Sequence, residues 1–354
     1  MGKLISGIQQ VGIGNQNMEK AWAWYRKNFG MDIPVLIEEA EAKLMIDYTR
    51  NKVESRNACI ALNLNGGGGF EVWQYTSRKP EPPKSNLKLG DYGIFIAKMK
   101  AADIQGAFQF LKGNDVEIIS EILTDPAGKK FFFLKDLYGN LFQVEEADNW
   151  FQKPKTLRPG GAAGVIIGVS DIEKSIKLYS DVLGFDKVIY DLSDKFTDLV
   201  ALPGGNERYR RVLLTHTNPL SGAFSELLGP IKIELVQALD GERQAIFKDR
   251  IWGDMGFIHL CFDIRFMDDL KKECEQAGYN FTVDSGRDSF DMGQAAGRFS
   301  YIEDPDGTLL EFVETHKLPV IKKLGWYFDL DNRNQAKSLP KWMLKLLSHT
   351  RKKD

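Results

Sequence analysis

The chain has 354 residues, enough for two or more domains with a sizeable core, and its 43 % hydrophobic and 27 % charged content is ordinary for a globular protein. A net charge of −2 supplies no global field toward nucleic acid or an anionic surface, and no run of about 18 apolar residues is present to span a membrane. Three scattered cysteines (Cys59, Cys261 and Cys274) are too few for a disulfide framework, and the first residues lack a basic stretch followed by an apolar one, so no secretory signal and a cytoplasmic location are expected.

In chain order, residues 9–31 read as an apolar strand, a capped turn and an amphipathic helix. Asn17 suits the N-cap, Trp22 and Tyr25 the buried stripe, and Gly30 the C-cap. Met1-Gly2 with Ser6 matches a loose myristoylation pattern, but the strand begins almost at once and chance explains the match. On that strand Val11 and Ile13 point one way, and Gln10, Gly12 and Gly14 the other, where the glycines leave the face open. Gly66 to Gly69 lack the G-x-G-x-x-G spacing and precede a strand, so they form a hairpin tip rather than a phosphate loop. The strand that follows, GFEVWQY (69–75), carries Glu71, Trp73 and Tyr75 on one face.

The next unit opens with GDYGIFIAKM (90–99), continues into a helix, and closes at KDLYGNLFQVEE (135–146) through a Gly139-Asn140 turn. Two prolines and paired glycines mark 149–164 as a linker. Residues 163–185 then repeat the first strand and helix, with Ser170 or Asp171 as cap, Tyr179, Val182 and Leu183 on the buried stripe, and Gly184 as C-cap; this unit ends at IKIELVQ (231–237), which holds Glu234. The last unit opens with GDMGFIHLCFDI (253–264), placing His259, Cys261 and Asp263 on one face. It closes at EDPDGTLLEFVE (303–314), where Glu311 sits amid Leu309, Leu310, Phe312 and Val313; a carboxylate on a buried sheet needs a partner, and a metal ion is one. Of the other histidines, His316 and His349 lie outside the strands, and His216 on a third strand reads as a satisfied or exposed side chain.

The same order of elements thus recurs, with an offset of roughly 160 residues between halves. The expected architecture is α+β: four βαβββ modules in two tandem halves, their sheets paired into clefts, followed by a helical tail. The N-terminal half spans 1–148 with modules at about 5–76 and 88–147, the linker 149–163, and the C-terminal half 164–316 with modules at about 164–237 and 253–314. The tail, 317–354, has Ser338 as a cap, Pro340 in the first turn, and Trp342, Leu346 and Leu347 along one helix. Lys337, Lys341, Lys345, Arg351, Lys352 and Lys353 make it basic; docking on the domain or on a second subunit, in a possible oligomer, accounts for it more simply than a membrane surface does.

The strand–helix GVSDIEKSIKLYSDVLGF and the closing DPDGTLLEFVE resemble the vicinal oxygen chelate superfamily, which includes glyoxalase I, bleomycin-resistance proteins and extradiol dioxygenases; the resemblance covers about residues 5–316. It implies that two modules pair to form a cleft holding a divalent metal, with one ligand from the first and one from the last strand of each. The first-strand positions fall at Gln10, about Gly93, Gly164 and His259, and the last-strand positions at Glu71, Gln143, Glu234 and Glu311. Pairing of modules one and four would give Gln10, Glu71, His259 and Glu311, the ligand types of a glyoxalase I site and a mixed N/O set suited to Zn, Ni, Co, Mn or Fe. Pairing of modules three and four would give Glu234, His259 and Glu311, as in ring-cleaving dioxygenases, but with Gly164 where those enzymes have a histidine. The expected function is metal-stabilised enediolate proton transfer on a small molecule with vicinal oxygens, as a lyase, isomerase or epimerase, with Glu311 or Glu71 as the base and Glu311 favoured. Trp73, Tyr75 and Cys261 are the expected pocket residues. A dioxygenase, or a non-catalytic module sequestering a small aromatic molecule against Trp73, Tyr75, Trp22 and Tyr92, are the alternatives, although Trp22 lies on a helical stripe and reads as core. The cleft of modules two and three, where only Glu234 survives, is expected to be degenerate.

Overall fold

The computed structural model describes residues 2–286, 290–291, 296–321 and 326–352. Module one comprises β1 (Leu4–Gly14), α1 (Met18–Phe29), β2 (Ile33–Glu41), β3 (Ser55–Leu62) and β4 (Gly69–Tyr75). Module two comprises β5 (Gly93–Ala101), α2 (Ile104–Gly113), the short β6 (Glu117–Ile118) and β7 (Leu123–Thr124), β8 (Lys130–Lys135) and β9 (Leu141–Glu146). Module three contains β10 (Ala162–Gly168), α3 (Ile172–Ile176), β11 (Lys187–Asp194), β12 (Tyr209–Thr215), α4 (Ser225–Leu228) and β13 (Lys232–Ala238). Module four contains β14 (Gly256–Arg265), α5 (Met267–Gln276), β15 (Val283–Asp284), β16 (Phe290–Asp291), β17 (Ala296–Glu303) and β18 (Leu309–Ile321). A final strand, β19 (Trp326–Asp329), and α6 (Lys341–Lys345) follow.

The helices begin and end as their residues dictate. Asn17 accepts from the amide of Lys20 at the start of α1, and Asp171 accepts from the amides of Glu173 and Lys174 at the start of α3. Gly30 ends α1 in the left-handed region, at φ 63°, where a side chain is disfavoured. The single α-helix expected over 171–184 is instead a short α3 continued by a π-helical stretch, Lys177–Val182. Met18, Ala21, Trp22, Tyr25 and Phe29 of α1 are buried against the sheet, so Trp22 is core.

The modules do not pair within each half. One sheet runs β15-β17-β18-β14-β1-β4-β3-β2, joining modules four and one through antiparallel β1 and β14; the other runs β11-β12-β13-β10-β5-β9-β8-β6, joining three and two. The helix-facing sides of the two sheets share one apolar core that includes Val11, Ile13, Phe70, Val165, Leu260 and Phe312. Two matching hydrogen bonds tie sequence neighbours across that core. The Tyr25 hydroxyl of α1 donates to Asp136 in the module-two turn at 2.5 Å, and the Tyr179 hydroxyl to Asp304 in the module-four turn at 3.1 Å.

The tail is more than a helix. β18 runs on to Ile321 and pairs with β19, and Leu330, Leu339 and Leu344 pack with Ile33, Leu62 and Leu227. Arg351 bonds Asp32, which anchors the chain end on module one, while Trp342 stays exposed. Lys353 lies outside the described residues. Among the described residues no helix is long and apolar enough to cross a membrane.

Candidate metal centre

The seam between β1 and β14 sets the site by register. Gly12 lies opposite His259 on β14 and beside Glu71 on β4; Cys261 lies opposite Gln10 on β1 and beside Glu311 on β18. Two rows of three result, Glu71–Gly12–His259 and Gln10–Cys261–Glu311, and in each the middle residue is small. The consequence is steric: a Cβ on Gly12 would lie 2.4 Å from His259 Cε1, so the imidazole lies directly over the glycine and reaches toward Glu71.

The reach is short. His259 Nε2 is 3.2 Å from Glu71 Oε2 and 3.1 Å from Glu311 Oε2, and the ligand atoms of these three residues lie within 4.8 Å of one another. Gln10 Nε2 is 3.4 Å from Glu311 Oε2. The modules one and four set of Gln10, Glu71, His259 and Glu311 therefore comes together. Its hydrogen bonding is incomplete: Gln10 Oε1 and both His259 ring nitrogens are buried without a hydrogen-bond partner among the described residues, although Nε2 is within ion-pair distance of two carboxylates. Buried polar atoms are nearly always satisfied, so this cluster has room for a further partner. One imidazole nitrogen and two carboxylates within reach of one another, beside a Gln10 side chain whose amide oxygen is unpartnered, suit a divalent cation of the Zn, Ni, Co, Mn or Fe type.

Electrostatics point the same way. Burial pushes the His259 imidazole down, but the Glu311 carboxylate, with Glu71 behind it, overrides that and lifts it to about 10. Burial pushes Glu311 up, and His259, with the Tyr301 hydroxyl and Cys261, brings it below the usual carboxylate range. The two buried carboxylates thus favour a positive charge between them, which the protonated His259 supplies without a metal and which a bound cation would supply in place of that proton. Burial and the adjacent Glu311 hold the Cys261 thiol well above its ordinary range, so Cys261 adds no negative charge beside the two carboxylates.

The other sheet answers the same demand with side chains. Glu234 accepts from Lys98 Nζ at 2.6 Å, from Arg211 Nε at 2.8 Å and from the Tyr190 hydroxyl at 2.9 Å, and Arg211 also holds Asp198 at 2.9 Å. Burial would raise Glu234, but Arg211 and Lys98 drive it far below the usual range. Glu234 lies in a different sheet from His259 and Glu311, so the alternative ligand set Glu234, His259 and Glu311 does not assemble. Its module-two counterpart also needs correction: β5 pairs with Lys98 beside Gln143, so the position corresponding to His259 is Ile96, not Gly93. At the position corresponding to Gln10, a Cβ on Gly164 would lie 2.2 Å from the Lys232 carbonyl oxygen, which leaves no space for a ligand side chain.

The expected pocket residues need correction too. Trp73, Tyr75 and Cys261 are all fully enclosed. Trp73 packs edge-on against Trp252, with ring centres 4.8 Å apart, and the Tyr75 hydroxyl bonds the Trp252 carbonyl. An open cavity of about 340 Å³ is lined by Trp252 together with Tyr48, Tyr92 and Phe247 rather than by Trp73 or Tyr75. Tyr92 was foreseen as a wall residue. Trp252 and Tyr301 were missed, although each flanks a motif read from the sequence, because neither is a metal-ligating side chain; the Tyr301 ring is 5.7 Å from that of His259, and Tyr301 lies opposite Glu311 in register. His216 is structural: its Nε2 is 3.1 Å from the Leu183 carbonyl oxygen and its ring packs on Phe185.

The family model described as Glyoxalase/Bleomycin resistance protein/Dioxygenase superfamily matches residues 7–144 and 162–312. Among solved structures, the chain is similar to glyoxalase I from Zea mays, at 14 % identity over 88 % of this chain and 92 % of that one with a TM-score of 0.52. It is also similar to a putative dioxygenase from Bacillus subtilis, at 13 % identity over 88 % of this chain and 86 % of that one with a TM-score of 0.53. At these identities the likeness extends to the fold alone. No curated protein matches.

Proposed function

The chain belongs to the glyoxalase/bleomycin resistance protein/dioxygenase superfamily, and from that premise we propose that it is a divalent-metal-dependent enzyme of the glyoxalase type. It acts on a small substrate with vicinal oxygens by proton transfer, as a lyase, isomerase or epimerase. The carrying observation is the convergence of Glu71, His259 and Glu311 within 4.8 Å, with the unpartnered Gln10 carbonyl oxygen beside them. Gln10, Glu71, His259 and Glu311 would hold the ion, and a metal there would polarise a substrate carbonyl and stabilise the enediolate left when a neighbouring carbon loses its proton.

The residues divide the remaining work. Glu311 is restrained by Gln10, His259 and Tyr301, whereas His259 is the one residue at ion-pair distance from Glu71 among the described residues. Glu71 is therefore the freer carboxylate, and we assign it the base that takes the proton and returns it; Glu311 holds His259 in place. This reverses the preference for Glu311 drawn from the sequence. Gly12 keeps the imidazole seated, and Trp252 with Trp73 keeps bulk water off the cleft.

A panel of small 2-oxoaldehyde adducts and α-hydroxy ketones in D2O tests the reading by NMR. We expect deuterium to enter at the carbon next to the carbonyl, with loss of that exchange in Glu71→Gln. Oxygen uptake with ring opening of catechols, and no exchange, would contradict it.

A further inference from the structure

The cavity walled by Trp252 also presents a buried cation, Arg250, with no carboxylate at ion-pair distance among the described residues; Asp254 and Glu81 act on it only from farther away. Its walls include Tyr48, Arg50, Tyr92, Phe247, Arg250 and Trp252. Arg250 is 92 % buried, being 8 % exposed. Its guanidinium donates to the Ile246 carbonyl at 2.6 Å and to the Met255 carbonyl, and lies over the Phe247 ring at 4.3 Å. Its Nε has no partner, and no carboxylate within ion-pair distance of Arg250 or Arg50 is found among the described residues. Elsewhere buried guanidinium groups are matched: Arg211 has Glu234 and Asp198, and Arg265 has Asp331. A buried charge is costly unless paired, so a lone guanidinium facing a cavity is a place where an anion is favoured. Burial accordingly lowers Arg250 to about 10, with Asp254 and Glu81 opposing the shift. Two acids also face the cavity: Asp47 is exposed, and Asp306 accepts from the Ser170 amide, so neither is paired with Arg250.

The remaining lining is mostly apolar, with Ile94, Ile251, Phe257, Ile258 and Leu309 beside the rings of the tyrosines, Phe247 and Trp252. A cavity of about 340 Å³ is at the lower end of the range for small-molecule sites. Ile258 and Leu309 form part of its wall and precede His259 by one residue and Glu311 by two. The cavity wall therefore includes residues of the two strands that carry His259 and Glu311, although none of the four candidate ligands lines it.

We propose that this cavity binds the carboxylate of a ring-bearing small molecule, the anionic end at Arg250 and the ring among Tyr92, Phe247 and Trp252. That the occupant is the substrate of the metal centre rests on the function proposed above; that a carboxylate binds here does not.

The test uses metal-stripped full-length chain, so it is independent of the metal reading. Benzoate and its neutral counterpart benzamide are titrated by calorimetry and by tryptophan fluorescence, which Trp252 reports from the cavity wall. Benzoate should bind about tenfold or more tightly than benzamide, the margin of one charge-assisted hydrogen bond. Arg250→Gln should erase that preference and Arg250→Lys should retain part of it. Because Arg250 also ties backbone carbonyls, each variant is first checked for native circular dichroism. Tyr92→Ala, which leaves Arg250 in place, should weaken both ligands together. Equal affinity for the two ligands, no benzoate binding, or an undiminished preference in a folded Arg250→Gln chain would overturn the site. Benzoate binding in a chain that takes up no metal would uphold this site while refuting the metal reading.

Discussion

At the scale of residues, the candidate centre depends on two small side chains as much as on its four polar ones. Gly12 and Cys261 occupy the middle of each row, and without their small size His259 could not lie toward Glu71 nor Gln10 approach Glu311. Gly12→Ala should therefore lower metal affinity by about 10- to 100-fold, the effect typical of residues that orient ligands, while the far-ultraviolet circular dichroism stays native. Unchanged affinity would remove Gly12 from the account. Sequence patterns exposed His259 and Glu311 because each sits alone among apolar residues on a strand. Gln10 and Glu71 were legible only through the repeat. Arg250, Trp252 and Tyr301 were not legible, since their roles depend on where a loop and a neighbouring strand bring them.

At the scale of elements, the second sheet shows what becomes of a carboxylate position without a metal set. Glu234 is charge-balanced by Lys98 and Arg211. Glu234→Gln leaves two buried cations under-compensated and should cost about 3–5 kcal/mol in denaturant unfolding, with metal content unchanged. The sign of its pH effect is fixed: a carboxyl held low in the folded state stabilises above its unfolded value of 4.5, and that contribution is lost as pH falls below it. Asp263 on β14 behaves oppositely. Burial raises it to about 7, so the folded chain binds more protons than the unfolded one between 3.8 and about 7. Stability therefore falls as pH rises through that window, and Asp263→Asn should raise the melting temperature more at pH 8 than at pH 4. An equal change at both pH values would refute that assignment.

At the scale of the whole molecule, chain order and spatial pairing are interleaved. Modules one and four share a sheet, as do two and three, while helix tyrosines tie one to two and three to four. Tyr179→Phe should cost about 1.5–3 kcal/mol, the usual worth of a hydrogen bond to a charged group, and the loss should appear in one cooperative unfolding transition rather than in one half alone. The four modules and their order were legible from periodicity, because each carries its own strand faces and caps. Which modules pair was not, since both seams join apolar strands and no local residue specifies a partner tens of residues away; only the ligand chemistry of Gln10 and Glu71 favoured the pairing that the sheet order displays. The central claim, one divalent ion held between modules one and four, is tested most directly by elemental analysis of the purified chain beside its His259→Ala variant. The account expects about one ion of the Zn, Ni, Co, Mn or Fe class per chain and none in the variant; a metal-free wild-type chain after incubation with these ions, or an undiminished metal content in His259→Ala, would contradict it.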